Sequence, residues 1–181
     1  MRLIAGFDLE TTGLLAPEHR ICEIALLLYD VDTEQRVGSL IRRFNPGRPI
    51  DPEAQAVHGI TFEELAHHPL LEDSADTLDK IEKIARASQC WVAHNGDGFD
   101  MPFIAQEFVR VGRTLPMIKS FDTMLQGRWA TPFGKNPSLK ELCFACRVPY
   151  DPSLAHAAEY DVDRMMACYF FARKRGFFSQ P

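Results

Sequence analysis

Three strand-like segments fall within the first 44 residues, with no room for a long helix between them, and nothing later in the chain constrains the fold as much. Arg2 to Asp8 (RLIAGFD) is short and apolar, with Gly13 beyond it as a turn residue. Ile21 to Asp30 (ICEIALLLYD) and Gly38 to Phe44 (GSLIRRF) follow, and the polar stretch VDTEQRV between them predicts an antiparallel meander. The period then changes. Pro49, Pro52, Gly59 and Pro69 leave space only for short helices, whereas Ser74 to Ser88 places Leu78, Ile81, Ile84 and Ala85 at helical spacing. CWVAH (90–94) predicts a fourth strand and Ile118 to Phe121 a fifth, with helices over Met101–Val111, Ser138–Cys146 and Ala157–Lys174. Strands first, then helix and strand in alternation, imply an α/β fold with a central five-stranded mixed sheet flanked by helices. At 181 residues and 46% hydrophobic content, one domain over 1–181 is the expectation.

The totals also exclude some functions. No run of eighteen apolar residues predicts a membrane span, and no basic-then-apolar leader predicts export, so a cytoplasmic protein is expected. Five cysteines, an odd number scattered over apolar positions, read as reduced thiols rather than a disulfide framework. A formal charge of −5 excludes a broad cationic coat for duplex DNA but leaves room for a locally basic or metal-loaded nucleic-acid site.

Acids gather where the predicted strands end. In GFDLETTGL (6–14), Asp8 and Glu10 stand two apart, so on a strand both point to one face at its carboxyl end, where sites in open α/β sheets usually lie. The alternative is a pair of solvated strand-end acids. VAHNGDGFDMPFI (92–104) ends another strand, turns and starts a helix, placing Asp100 above the same edge. Asp100 reads equally as an acid complementing a helix N-terminus, a role for which Asp97 competes. HAAEYD (156–161) supplies His156 and Asp161. Five residues of ideal helix turn by about 500°, so these two share a site only if His156 lies in the loop before the helix. Otherwise they are a surface histidine and an N-terminal helix acid.

Four acids in one cleft repel by about 4 kcal/mol per pair at 4 Å in an effective dielectric of 20. Such a cluster calls for cations. Hard oxygen ligands suit Mg²⁺ or Mn²⁺, and two such ions about 4 Å apart are the usual apparatus for attacking a phosphodiester.

DLETTGL on its strand, the NGDGFD turn and the HAAEYD segment together resemble the three motifs of the DEDD exonucleases, histidine branch, also called DnaQ-like; VHGIT (57–61) resembles the block between the first two. The resemblance spans Leu3 to about Tyr169 and implies a ribonuclease H-like fold. It also implies removal of nucleoside 5′-monophosphates from a 3′ end with two Mg²⁺ (or Mn²⁺) ions. By the same resemblance Asp8 bridges both ions, Glu10 and Asp161 complete the site of the ion holding the attacking water, Asp100 helps hold the other, and His156 is the general base. An imidazole suits that task because its ordinary pKa lies near neutrality. The terminal nucleotide would be cradled by the backbone of Leu9 to Thr12 (Leu9, Thr11, Thr12) and by Leu14, His58, Asn95 and Phe99, with Leu14 or Phe99 against a base. Core packing is the competing role for Leu14 and Phe99, and a turn for His58.

One departure concerns spacing. Three residues separate Asn95 from Phe99-Asp100, where many members have two, a spacing associated with the tyrosine branch. That branch needs a tyrosine four residues before the last acid, and Ala157 holds that position before Asp161, so the histidine branch stands.

Other features read as structure. Cys143 and Cys146 form a C-x-x-C on an apolar helical face without a second ligand pair, and are assigned to the core. His67 and His68 read as a solvated helix end. Arg164, Arg173, Lys174 and Arg175 complement a helix C-terminus.

The expectation is a metal-dependent 3′-to-5′ exonuclease whose partner is nucleic acid with a free 3′ end, single-stranded or frayed DNA ahead of RNA. An exoribonuclease, or a non-catalytic nucleic-acid or polymerase-binding module, are the alternatives. The ending FFSQP, soon after the last helix, favours a free-standing enzyme, with polymerase association or a homodimer through Phe170, Phe171, Phe177 and Phe178 as the other outcomes.

Overall fold

The computed structural model describes residues 2–179. A sheet of five strands is ordered β3-β2-β1-β4-β5, with β1 at Leu3–Thr11, β2 at Ile21–Asp30, β3 at Arg36–Arg43, β4 at Trp91–Ala93 and β5 at Ser120–Asp122. β1, β2 and β3 form the expected antiparallel meander, while β4 and β5 run parallel to β1. Short helices α1 (Pro52–His58) and α2 (Phe62–Leu65) occupy the proline-punctuated segment. Then come α3 (Ala75–Ala87), α4 (Asp100–Arg110), the one-turn α5 (Thr123–Gln126), two 3-10 turns at Gly127–Ala130 and Pro132–Gly134, α6 (Leu139–Cys146) and α7 (Ala158–Lys174). Among the described residues no helix is long and apolar enough to cross a membrane.

The period-2 pattern of β1 sorts its side chains between two cores. Ala5, Phe7 and Leu9 face the layer containing Leu78, Ile81, Phe103, Ile104 and Phe108 of α3 and α4. Ile4 faces the opposite layer, built on Leu142 and Cys146 of α6 and Val162, Met165, Met166 and Tyr169 of α7. Gly6, Asp8 and Glu10 share the parity of Ile4, so both acids lie on the α7 side.

β1 continues three residues past the predicted end at Asp8, because β2 pairs with it along its whole length, from Leu3 opposite Asp30 to Thr11 opposite Ile21. Glu10 therefore sits within the strand. The register shifts between Glu10 and Thr11, a bulge at the sheet's working edge. The fifth strand begins two residues later than predicted, at Ser120.

α7 lies unusually close to β1. A Cβ placed on Gly6 would meet Met166 Cγ at 2.6 Å and Val162 Cγ1 at 2.7 Å, so only a residue without a side chain admits the helix at this distance. Asp161 is the neighbour of Val162, and Asp8 lies two residues from Gly6 on the same face. Gly6→Ala is expected to cost about 1–3 kcal/mol through overpacking. Combining it with Met166→Ala is expected to cost less than the sum of the two single losses, measured by chemical denaturation; strict additivity would refute the contact as the cause.

The cysteines are all buried and free, with Cys143 Sγ 3.5 Å from Cys168 Sγ in the α6–α7 interface, in keeping with a core role. Phe170 and Phe178 are also core, and Phe177 stacks on Trp129 at 4.4 Å between ring centres. His67 and His68 are exposed just past α2.

Candidate active site

The parallel strands β1 and β4 end at one edge, and there a cleft of about 520 Å³ opens. Asp8, Glu10, Asp100, His156 and Asp161, five residues from three distant segments, all line it.

Each arrives by a local device. Asp8 and Glu10 come by strand alternation. Asp100 opens α4 and is buried, and its Oδ1 accepts the Leu9 backbone N–H at 3.1 Å, a direct tie between the first and second acidic segments. The extra residue in the NGDGFD turn is absorbed before it reaches the site. Gly96 lies where a Cβ would come within 2.3 Å of Ala93 Cβ, and Asn95 takes a left-handed φ of 69°. Asp122 holds this turn from outside, accepting the backbone N–H groups of Asn95 at 3.1 Å and Asp97 at 3.4 Å while it caps α5. Neither Asp97 nor Asp100 caps α4; Phe99 stands at that position without a side-chain cap bond.

His156 lies in the loop before α7, as the shared site requires, at a left-handed φ of 62°. Its backbone N–H donates to Asp161 Oδ2 at 2.8 Å, so the turn that presents the imidazole also fixes the last acid. The ring is exposed on the cleft wall.

The acids strain one another electrostatically. Burial, then Asp100, Glu10, Asp161 and Glu23, hold the Asp8 carboxyl well above the usual carboxylate range. Burial and the acids Asp161, Glu23 and Asp100 push Glu10 up to about 9. Asp100 is pushed up to about 8 by burial, against the opposing pull of the Leu9 N–H. Asp161 is raised by burial, partly offset by the His156 N–H. None of the four forms a salt bridge with a lysine or arginine among the described residues.

This donor set fits divalent cations. Asp161 Oδ1 is buried without a hydrogen-bond partner, a costly condition that a ligated cation removes. Oxygen donors alone favour Mg²⁺ or Mn²⁺ over softer metals. Among the described residues no three side chains by themselves form a finished metal cage. Mg²⁺ does not call for one, since it keeps several waters and takes one or two carboxylates plus substrate phosphate.

Of the expected nucleotide contacts, Leu9, Thr11, Leu14, His58 and Phe99 line the cleft, whereas Thr12 and Asn95 do not. Thr12 is fully buried and its Oγ1 accepts the Arg20 N–H at 3.0 Å. Asn95 is spent on the turn. Leu14 is 78% exposed on the cleft rim, which rules out core packing, while Phe99 both lines the cleft and packs on Phe103 at 4.9 Å. His58 Nε2 contacts the Thr11 carbonyl at 3.2 Å and its Nδ1 accepts the Ile60 N–H, so it braces α1 against β1 as well as facing the cleft.

Sequence reasoning missed three participants. Glu23 stands directly opposite Glu10 across the strand pair and is tied to Arg43 at 3.1 Å. His94 lines the cleft and bonds to the Pro137 carbonyl at 3.1 Å. Val57 adds apolar wall beside Ala54. Only VHGIT gave a hint of the last, through its neighbour His58.

Comparison with known proteins agrees with this architecture. The exonuclease family model (RNase_T) matches residues 5–169. DNA polymerase III subunit epsilon of Salmonella typhimurium is 30% identical over 172 residues, covering 90% of this chain and 68% of that protein. Ribonuclease T of a Shewanella species is 28% identical over 179 residues, covering 92% and 80%. The chain also matches far longer relatives, of which it spans 10 or 11%. The crystal structure of E. coli exonuclease I with a dT13 oligonucleotide superposes with a TM-score of 0.81 at 19% identity, over 97% of this chain and 42% of that one, a likeness of fold. With a family match running from the first strand into the last helix, across every element that lines the cleft, the chain belongs to the DEDD exonuclease family on a ribonuclease H-like fold.

Proposed function

We propose that residues 1–181 form a single exonuclease domain that shortens nucleic acid from its 3′ end, releasing nucleoside 5′-monophosphates. The observation that carries this reading is that Asp8, Glu10, Asp100 and Asp161, without lysine or arginine partners among the described residues, converge with His156 on a cleft at the sheet edge. Asp8, Glu10, Asp100 and Asp161 would hold two Mg²⁺ or Mn²⁺ ions. When bound, such ions stabilise charge on the phosphate and bring the pKa of water toward neutrality.

The remaining work belongs to the chain. His156, at the cleft mouth, accepts the proton of the attacking water. That water's oxygen bonds to phosphorus, the bond from phosphorus to the 3′ oxygen of the penultimate nucleotide breaks, and the departing oxygen takes a proton from solvent to leave the shortened strand with a 3′ hydroxyl. Leu14, Phe99 and Val57 give the terminal base an apolar seat, and the His58–Thr11 contact keeps that seat fixed to β1. Positioning of this kind supplies much of the rate.

Single-stranded DNA is the first substrate choice because the epsilon relative is a component of a DNA polymerase. RNA is the second, on the likeness to ribonuclease T. The deciding experiment is incubation of 5′-labelled single-stranded DNA and RNA of matched sequence with Mg²⁺, Mn²⁺ or EDTA. A ladder descending one nucleotide at a time, abolished by EDTA, is expected. Shortening that persists in EDTA, or immediate release of the labelled 5′ nucleotide, would refute the reading.

A further inference from the structure

Charge is unevenly spread over the chain. Residues 128–147 hold Arg128, Lys135, Lys140 and Arg147 against one acid, Glu141, whereas the whole chain carries −5. Within the same stretch two phenylalanines stand in solvent, Phe133 fully and Phe144 at 88% exposure.

α6 turns Leu142, Cys143 and Cys146 into the core, so Lys140 and Phe144, one turn apart, occupy its outer face, and Arg147 follows at its C-terminal end. Lys135 is paired with Glu141 at 2.6 Å, but Lys140 and Arg147 have no carboxylate partner among the described residues. Phe133 is held at the tip of its turn with a left-handed φ of 61°, a conformation that a bulky side chain rarely adopts without cause. The turn is tied across its base by the Thr131 hydroxyl to the Lys135 carbonyl and by Arg128 Nε to Asn136 Oδ1 at 2.7 Å.

This surface is tied to the cleft wall at one point, where the loop meets α6: the Pro137 carbonyl bonds to His94 at 3.1 Å. Past α6, the Asp151 N–H donates to Tyr160 Oη at 2.6 Å, and the chain reaches His156 five residues on.

We propose that the 132–138 loop and the outer face of α6 form a track for single-stranded nucleic acid, carrying nucleotides upstream of the 3′ end held in the cleft. The direction of the strand rests on the exonuclease reading. The binding itself does not. Aromatic side chains that stack on bases, interleaved with unpaired cations that meet phosphates, are the chemistry of sequence-tolerant strand binders. A protein partner fits less well, because lysine is depleted at protein interfaces and Lys135 and Lys140 lie between these two aromatics in the sequence.

The test is fluorescence anisotropy of 5′-fluorescein (dT)15 and (U)15 in EDTA, so that no cleavage occurs. Phe133→Ala and Phe144→Ala are each expected to weaken 15-mer binding about tenfold. Lys140→Glu with Arg147→Glu is expected to weaken it further and to reduce the slope of log K against log salt by about 1.4, at 0.7 per phosphate contact. Circular dichroism confirms folding, and the Phe133 variant stands apart from α6 if the helix variants do not fold. In Mg²⁺, cleavage of the dinucleotide pTpT is expected to be unchanged in every variant.

Unchanged 15-mer affinity overturns the track. So does a wild-type dimer in sedimentation that Phe144→Ala dissociates, since the face would then belong to a second copy. Equal loss on dinucleotide and 15-mer also overturns it, by placing the effect in the cleft. Wild-type binding of (dT)15 with no cleavage of either length would refute the exonuclease reading and leave the track standing.

Discussion

Asp8→Asn is expected to lower nucleotide release in Mg²⁺ by at least about 10³-fold, yet the metal-free variant is expected to melt at a higher temperature than wild type. The rate loss follows from removing a carboxylate at the centre of the acid cluster, where metal-borne stabilisation is worth several kcal/mol and each 1.36 kcal/mol is tenfold. The gain in stability has a different origin. Asn keeps the shape of Asp but removes a carboxyl that burial and its acidic neighbours hold well above the ordinary range. Where a folded-state carboxyl has a raised pKa, the folded chain keeps a proton that the unfolded chain has lost, so stability falls as pH rises between the two values. For the metal-free wild type that window runs from the ordinary carboxylate pKa of about 4 to about 8 for Asp100 and about 9 for Glu10. Melting curves from pH 5 to 9 in EDTA should show this decline, shallower in the variant. Saturating Mn²⁺ at 100 times its Kd adds about 2.7 kcal/mol, or roughly 5–11 °C for a chain of this size, to the wild type and much less to the variant. A metal-free variant that melts lower than wild type at pH 8 would show that the acids do not oppose the fold.

His156→Asn is expected to reduce kcat by about 10²–10⁴-fold, the usual worth of a general base, with little change in KM. Asparagine is the informative choice. It tolerates the left-handed backbone that His156 adopts and keeps the N–H that donates to Asp161, so the turn and the last acid stay in place while the proton acceptor is lost. Alanine lacks the short polar side chain that eases this backbone, so it would be strained relative to asparagine and blur the two effects. Steady-state kinetics on a 5′-labelled strand measures the loss, and an undiminished Mn²⁺-induced rise in melting temperature shows that the acids remain assembled. A kcat within about threefold of wild type would remove His156 from the reaction.

Much of this arrangement was legible in the residues. Alternation along RLIAGFDLE sorts β1 between two cores and puts Asp8 and Glu10 on one face, and the five-residue spacing in HAAEYD already required His156 to precede the helix. What stayed hidden depends on register and packing between distant segments. Nothing near Glu10 announces Glu23, because their meeting is set by how β2 slides along β1, with a bulge beside the pair. Nothing in the sequence marks Asp122, whose hold on the Asn95 and Asp97 amides exists only once β5 lies beside β4. The two acids of β1 look like a strand terminus, yet the strand runs past Asp8 because β2 is long enough to pair with Glu10 and Thr11.

The seating of α7 on Gly6 joins the first strand of the sheet to the last helix described. A chain still emerging from the ribosome possesses Asp8 and Glu10 before Asp100, and it lacks His156 and Asp161 until the segment 156–161 has been made. Even then, the final helix must dock on the first strand before the acids are brought together. On the exonuclease reading proposed above, a truncated or half-folded product would lack the assembled acids and histidine, and nucleic acid near its site of synthesis would go uncut until the fold has closed.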